Sequence, residues 1–306
     1  MKRKELITLL CTCVTSILSG CAALNQPSDI AIVRGNGNHR MPVTEVARIP
    51  ELSELHQLAA LNAAIYVDSE SGSTGSFDEF CRSEDIRYTP EGWHRLHMLP
   101  DFPETPPRSH KVSGMKYEVW VRESRGTPPR ILIVFRGTDA EQLGDWFSNL
   151  RWITRLIPFF WDQYDQTRAF IPALVQHLRE KYGDHVDIRT TGHSLGGGLA
   201  QQAAYMSKHI HKVYAFDPST VTGYYGVEKT DREANEKGMS IYRVYEHGEI
   251  LAYLRFLMKT LYPITTKDPK IIEIRYNLAK GNLISQHSMK DFACKLRAIA
   301  ESSSGP

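Results

Sequence analysis

The sequence predicts an α/β fold, in which helices cover both faces of a mainly parallel sheet. Short apolar or alternating segments recur along the chain and helical stretches follow them, which is the pattern of such sheets. A glycine-rich turn joins one of these strands directly to a helix. The predicted strands are 116–121, 131–135, 186–191, 212–216, 240–245 and 271–276, and the predicted helices are 51–66, 163–181, 195–207, 250–261 and 287–300.

Length and charge narrow the class of protein. The chain has 306 residues and 42% hydrophobic content, which suffices for one large core, and we place the folded domain at 49–306. Lys2, Arg3, Lys4 and Glu5 account for the formal net charge of +2, so the remainder is neutral. No basic stripe is present, and we therefore expect no nucleic-acid partner.

The N-terminus reads as a targeting segment. A positive start precedes an apolar stretch, 6–18, that is too short to span a bilayer, so 1–20 is predicted to be a signal peptide. Leu18-Ser19-Gly20-Cys21 resembles the lipobox of bacterial lipoproteins. The resemblance implies cleavage before Cys21, acylation of that cysteine and a place in the cell envelope. With Ala22 next, it implies the outer membrane of a Gram-negative cell. The alternative is an ordinary secretory signal with a coincidental cysteine.

Residues 21–48 are polar and show no periodicity, so we expect a flexible tether with a mean reach on the order of 30 Å. Of the five cysteines, Cys81 and Cys294 remain in the domain. An oxidising compartment allows a disulfide bridge between them, and two separate buried thiols are the alternative.

The turn at 190–198 carries the pattern Gly-x-Ser-x-Gly with Ser194 at its centre. A strand is predicted before it and a helix after it, which is the arrangement that exposes a nucleophilic serine at a strained turn. Such a serine needs a neighbouring base, and the base needs an acid that holds its tautomer. The order along the chain in this type of fold is Ser, acid, His.

Four histidines follow Ser194, and His287 is the predicted base because it opens the last helix after the final strand. The acid stays open among three carboxylates at strand ends. Glu249 is favoured, Asp217 and Glu246 are alternatives, and simple helix capping would explain any of them.

An oxyanion also requires N–H donors. Leu195 supplies one at the start of the helix, and Thr138 is predicted to supply the second from the loop after strand 131–135. Metal signals are poor, because His94 with His97 and His209 with His211 lack further partners at ligand spacing. We expect neither a metal nor another cofactor, and we predict no protein partner.

Taken together, Phe-Arg-Gly-Thr at 135–138, Asp-Trp-Phe-Ser-Asn-Leu at 145–150 and Thr-Gly-His-Ser-Leu-Gly-Gly at 191–197 resemble the class 3 (fungal-type) lipases. The resemblance covers roughly residues 50–300. It implies an α/β-hydrolase fold and ester hydrolysis by Ser194, Glu249 and His287, with Thr138 and Leu195 as the oxyanion hole. It also implies a lid at 145–161, for which packing on the core is the alternative.

The chain departs from that family at two places: Glu249 stands where Asp is usual, and 215–223 lacks the usual Gly-x-Pro-Arg turn. The predicted substrates are triacylglycerols, phospholipids or lysophospholipids. The glutamate leaves a second hypothesis open, a non-catalytic envelope lipoprotein that uses the scaffold to bind lipid. A peptidase or a thioesterase is a further alternative.

Overall fold

A large sheet organises the molecule. The computed structural model describes residues 26–67, 73–96, 115–137, 152–249, 251, 266–282 and 285–303, and for 152–162 only the backbone. The strands of the sheet are β1 (Ile30–Gly35), β2 (Gly37–Pro42), β5 (Trp93–Arg95), β6 (Tyr117–Ser124), β7 (Thr127–Phe135), β8 (Asp187–His193), β9 (Ile210–Phe216), β10 (Ser240–Glu246) and β11 (Lys270–Tyr276). The two short strands β3 (Ser73–Thr74) and β4 (Ile86–Arg87) pair separately.

The order of strands across the sheet is β2-β1-β11-β10-β9-β8-β7-β6-β5. The five strands from β7 to β11 run parallel, and antiparallel strands flank them on both sides. All six predicted strands are present, with ends within a few residues of the prediction. The carboxyl ends of the parallel strands therefore converge on one edge of the sheet, where ligands bind in folds of this type.

Helices cover both faces of the sheet. They are α1 (Val43–Arg48), α2 (Leu55–Ala64), α3 (Phe77–Arg82), α4 (Trp152–Tyr182), α5 (Leu195–Tyr205), α6 (Lys229–Asn235) and α7 (Met289–Ser303). Single turns of 3-10 helix occupy Tyr224–Gly226 and Ser285–His287. Residues 252–265, which include most of the helix predicted at 250–261, lie outside the described residues.

Strand β7 shows how the two faces are filled. Ile131, Ile133 and Phe135 pack in one core cluster with α4 and α5, whereas Leu132 and Val134 pack in the other with α2 and α7. All five are fully buried. A strand buried on both faces has no polar side to show, which is why this segment is continuously apolar in the sequence.

The N-terminal segment corrects one prediction. Residues 30–48, expected to belong to a flexible tether, form the hairpin β1–β2 and helix α1. Strand β1 pairs with β11, and Val46 of α1 is fully buried, so tertiary pairing overrides the weak local pattern. The side-chain amide of Gln26 donates to the carbonyl oxygens of Ile30 (2.8 Å) and Arg275 (3.0 Å).

Cys81 of α3 and Cys294 of α7 form a disulfide, with their Cα atoms 6.0 Å apart and 213 positions apart in sequence. The bridge resolves the alternative left open by the sequence, two separate thiols. In the part of the chain that the structure describes, no helix combines the length and the apolarity that crossing a bilayer requires.

The double variant Cys81→Ser/Cys294→Ser is expected to have a free energy of unfolding about 2–5 kcal/mol lower than the wild type, because the bridge restricts a long loop of the unfolded chain. Denaturant unfolding of both proteins measures the difference. Adding a reductant should destabilise the wild type and leave the variant unchanged. Equal stability of the oxidised wild type and the variant would contradict the expectation.

Candidate active site

Ser194 lies at the turn between β8 and α5, with φ 58° and ψ −123°. Non-glycine residues with positive φ are uncommon and carry strain. Among the described residues, Asp217 is the one other case, with φ 39°. The sequence motif predicted an exposed nucleophile at this turn, whereas Ser194 is buried at the carboxyl edge of the sheet and is 2% exposed.

The glycines of the motif are required by close backbone packing. A Cβ atom on Gly192 would overlap the carbonyl of Gly196, and one on Gly196 would overlap the carbonyl oxygen of Phe135. The first turn of α5 therefore lies directly against the end of β7. This contact brings the amide of Leu195, the first residue of the helix, to the same edge of the sheet.

The loop after β7 passes beside Ser194. A Cβ atom on Gly137 would lie 3.1 Å from the Cβ of Ser194 and 2.7 Å from the hydroxyl of Tyr66, and it would overlap the carbonyl oxygen of His193. The amide of Gly137 donates a hydrogen bond to the Tyr66 hydroxyl (3.0 Å). Thr138, the predicted second oxyanion donor, lies outside the described residues, and so does Cys21.

His287 and Glu249 are in direct contact. The Nδ1 atom of His287 is 2.7 Å from Oε2 of Glu249. The same carboxylate oxygen accepts the amide of Leu251 (2.8 Å), which fixes its position. His287 is 2% exposed and Glu249 is fully buried. The acid that the sequence favoured, Glu249, therefore makes a hydrogen bond with the predicted base.

The two alternative acids lie close by. Asp217 accepts the amide of Glu246 on Oδ1 (2.9 Å). One of its oxygens lies within 4.8 Å of a ring nitrogen of His193 and of a ring nitrogen of His287. The Glu246 carboxylate accepts the amide of Leu278 (2.9 Å). Burial raises the pKa of Glu246 to about 7, against the opposing effect of backbone N–H donors.

His193 links these groups. Its ring packs on that of His287, with centroids 4.5 Å apart and planes at 41°. Its Nδ1 is 3.1 Å from the hydroxyl of Tyr66, and the guanidinium of Arg136 lies over the ring of that tyrosine, 5.3 Å from its centroid. The imidazole of His287 thus packs on the residue that directly precedes Ser194.

Asp217 was predicted as an alternative acid for His287, but its proximity to His193 and the contacts of Tyr66 were not predicted. Tyr66 follows α2, 71 positions before Gly137, so no local spacing connects them. Its one signal in the sequence is a tyrosine at the end of the predicted helix 51–66.

One group of three metal-ligand side chains exists within the described ranges, namely His193, Asp217 and His287. All three are buried, and the Nδ1 of His287 already contacts Glu249. The arrangement as it stands offers a serine, an imidazole and two carboxylates, which are the groups of nucleophilic ester cleavage.

A family model described as a Tle-like phospholipase domain matches residues 57–259. A comparison with curated proteins found no match. The matched range contains Ser194, Asp217, Glu246 and Glu249, and it ends before His287.

Solved structures that the comparison matched to this chain include lipases and esterases. Lipase II from Rhizopus niveus is 14% identical, with 69% of this chain and 76% of that chain covered and a TM-score of 0.42. A thermostable esterase from Pseudomonas putida is 14% identical, with 86% and 90% covered and a TM-score of 0.39. A hyperthermophilic esterase from Pyrobaculum calidifontis is 10% identical, with 85% and 94% covered and a TM-score of 0.36.

The raised pKa of Glu246 predicts a pH-dependent stability. Because the folded value of about 7 lies above the usual 4.5, the folded state holds a proton that the unfolded state has lost between these two values. The contribution is therefore present below pH 4.5 and is lost as the pH rises to about 7. We expect Glu246→Gln to remove this loss, worth about 2–3 kcal/mol at most. Unfolding free energies of the wild type and the variant at pH 5 and pH 8 measure it.

The exposed Glu228→Gln variant is the matched control and should follow the wild type. If the free energy of unfolding falls by the same amount in Glu246→Gln as in the wild type between pH 5 and pH 8, the Glu246 carboxyl does not retain a proton in the folded state.

Proposed function

The chain belongs to the family of Tle-like phospholipase domains, and we propose that it hydrolyses carboxylic esters of lipids through an acyl-enzyme on Ser194. It has the α/β-hydrolase fold, and lipid-ester hydrolysis is the reaction class of its family. The observation that carries the proposal is the contact between His287 and Glu249, made beside the residue that precedes the strained Ser194.

In the first half of the reaction, Ser194 Oγ attacks the ester carbonyl carbon while His287 takes the hydroxyl proton on Nε2. Glu249 keeps the other proton on Nδ1 and stabilises the imidazolium that forms. The amides of Leu195 and Thr138 are proposed to receive the oxyanion, each worth a factor on the order of 10² in rate. Collapse of the intermediate expels the alcohol, which takes the proton from His287.

In the second half, His287 removes a proton from water, and the hydroxide attacks the acyl carbon bound to Ser194. A second tetrahedral intermediate forms, and the serine leaves with the proton that His287 returns. The fatty acid is released and the free enzyme is regenerated. All groups required for both halves are side chains or amides of this chain.

Phospholipids or lysophospholipids are the substrates we propose first, with triacylglycerols as a further class. The family description supports a phospholipid. The alternative, a non-catalytic lipid-binding lipoprotein, was suggested by the glutamate at position 249, where the resembling lipases usually have aspartate. Since Glu249 makes the hydrogen bond that an aspartate would make, this exchange no longer favours a passive role.

We also propose that the protein is attached to the envelope membrane through an acylated Cys21, in the outer membrane of a Gram-negative cell. The lipobox-like Leu18-Ser19-Gly20-Cys21 supports this placement. Several acyl chains on one residue would give lasting attachment, where a single chain holds weakly.

A fluorophosphonate probe is expected to label the wild type covalently and to leave Ser194→Ala unlabelled, because only an activated serine reacts with it. Hydrolysis of short- and long-chain esters should disappear in the same variant. Gel fluorescence and fatty-acid release measure the two effects. Glu249→Gln should label more slowly than the wild type.

The exposed Ser302→Ala variant is the control and should behave as the wild type. An unlabelled wild type with no ester turnover would refute the hydrolytic function and favour the lipid-binding alternative.

Cys21→Ser is expected to abolish acylation and to release the protein from the membrane fraction. Growth with a clickable fatty acid, followed by fractionation, measures both. The single variant Cys294→Ser controls for a general effect of losing a cysteine and should still be acylated. Membrane attachment that persists without Cys21 would contradict the anchor.

A further inference from the structure

Asp217 is held in an unfavourable place. It follows β9 directly, its φ is 39°, and its side chain is fully buried. Positive φ at a non-glycine residue costs about 1–3 kcal/mol, and burial of a carboxylate costs more unless other groups stabilise it. Strain of this kind concentrates at functional sites, and the contacts of the Asp217 carboxylate indicate which function it has.

The backbone fixes the direction of the Asp217 side chain. Its amide donates to the carbonyl oxygen of Val244 (2.8 Å), which continues the pairing of β9 with β10. Its Oδ1 then accepts the amide of Glu246 from the same strand (2.9 Å). With both contacts made to β10, the carboxylate lies where one oxygen is within 4.8 Å of a ring nitrogen of His193 and one of His287.

We propose that Asp217 is a positioning residue, a second buried carboxylate that stabilises positive charge on the adjacent imidazoles of His287 and His193. The inference rests on the proposed function for its catalytic meaning. Glu249 orients His287 through Nδ1, while Asp217 acts through space on the imidazolium that forms during ester cleavage. Opposite charges at such separations shift a titration by one unit or more when they are buried.

Other titratable groups face the same two rings and belong to other elements. Glu249 contacts His287 from the segment after β10, and Tyr66 contacts His193 from the end of α2. Glu246 and His247 follow along β10, and the Glu246 carboxylate is turned to the amide of Leu278. Asp217 is distinguished from Glu246 because its carboxylate lies near both rings, whereas that of Glu246 is held by backbone amides.

Asp217→Asn separates charge from shape. Asparagine adopts positive φ more readily than most residues, and its amide oxygen can still accept the Glu246 amide. The variant therefore removes the negative charge and keeps the hydrogen bond. Asp217→Gly, which is free of strain at positive φ, is the second variant if the first fails to fold.

The experiment is an NMR titration of the histidine ring nitrogens in the full chain, for the wild type, Asp217→Asn and the exposed control Asp231→Asn. We expect the pKa of His287 to fall by about one unit in Asp217→Asn, with a fall for His193 as well. The control should match the wild type. Unchanged titrations of both rings in Asp217→Asn would overturn the proposal.

The pH profile of kcat/KM for ester hydrolysis provides the catalytic readout. Since the base must be neutral, the acidic limb of the profile should move about one unit toward lower pH in Asp217→Asn. The plateau of kcat should fall about tenfold, because the imidazolium is less stabilised. A lower plateau with an unmoved limb would assign Asp217 a purely structural role and overturn the proposal.

The two readouts keep the hypotheses apart. If the wild type hydrolyses no ester and the imidazole titrations still shift, hydrolysis is refuted and the electrostatic role of Asp217 is supported. If hydrolysis is present and neither readout shifts, the proposed function stands and the role of Asp217 is refuted.

Discussion

Close contact between the start of α5 and the end of β7 is the constraint on which the site depends. Gly196 packs against the carbonyl oxygen of Phe135, and this separation leaves no room for a side chain. The strained conformation of Ser194 follows, because the chain must reverse from β8 into a helix that lies directly on the sheet. The neighbouring loop with Gly137 is brought against Ser194 by the same packing.

Once that turn is in place, the parallel strands supply the remaining groups in order across the sheet. Asp217 follows the end of β9 directly, and β10 ends at Glu246, with Glu249 three residues later. Because parallel strands present their carboxyl ends at one edge, residues far apart in sequence meet there without a special device. The last helix, α7, begins just after His287. The disulfide at Cys294 links α7 to α3 on the same side of the sheet.

Much of this was readable from the sequence, for identifiable reasons. Ser194 could be predicted because its turn has a local signature, and the strands because burial on both faces makes them continuously apolar. The family of α/β-hydrolase lipases followed from motifs that are each short and local. The sequence favoured Glu249 as the acid but could not exclude Asp217 and Glu246, since all three lie at or after strand ends and differ in side-chain direction.

Tyr66 and the segment 30–48 show the complementary case. Tyr66 contacts Gly137 and His193 through the tertiary packing of α2, so no periodicity in the sequence predicts these contacts. The hairpin β1–β2 is polar on its outer strand, and its stability comes from pairing with β11 at the sheet edge. A local pattern cannot reveal a strand whose partner lies about 240 positions further along the chain.

The contacts of Gln26 have a mechanical consequence. Gln26 is fastened to Arg275 near the carboxyl end of β11, the edge that also carries the candidate active site. Five peptide units separate it from Cys21 and span at most about 18 Å. Strand spacing places β8 roughly 15 Å further along that edge. The proposed lipid on Cys21 would thus hold the carboxyl edge of the sheet close to the membrane surface. The protein would then meet lipid substrates in the plane of the membrane and not in the surrounding solution.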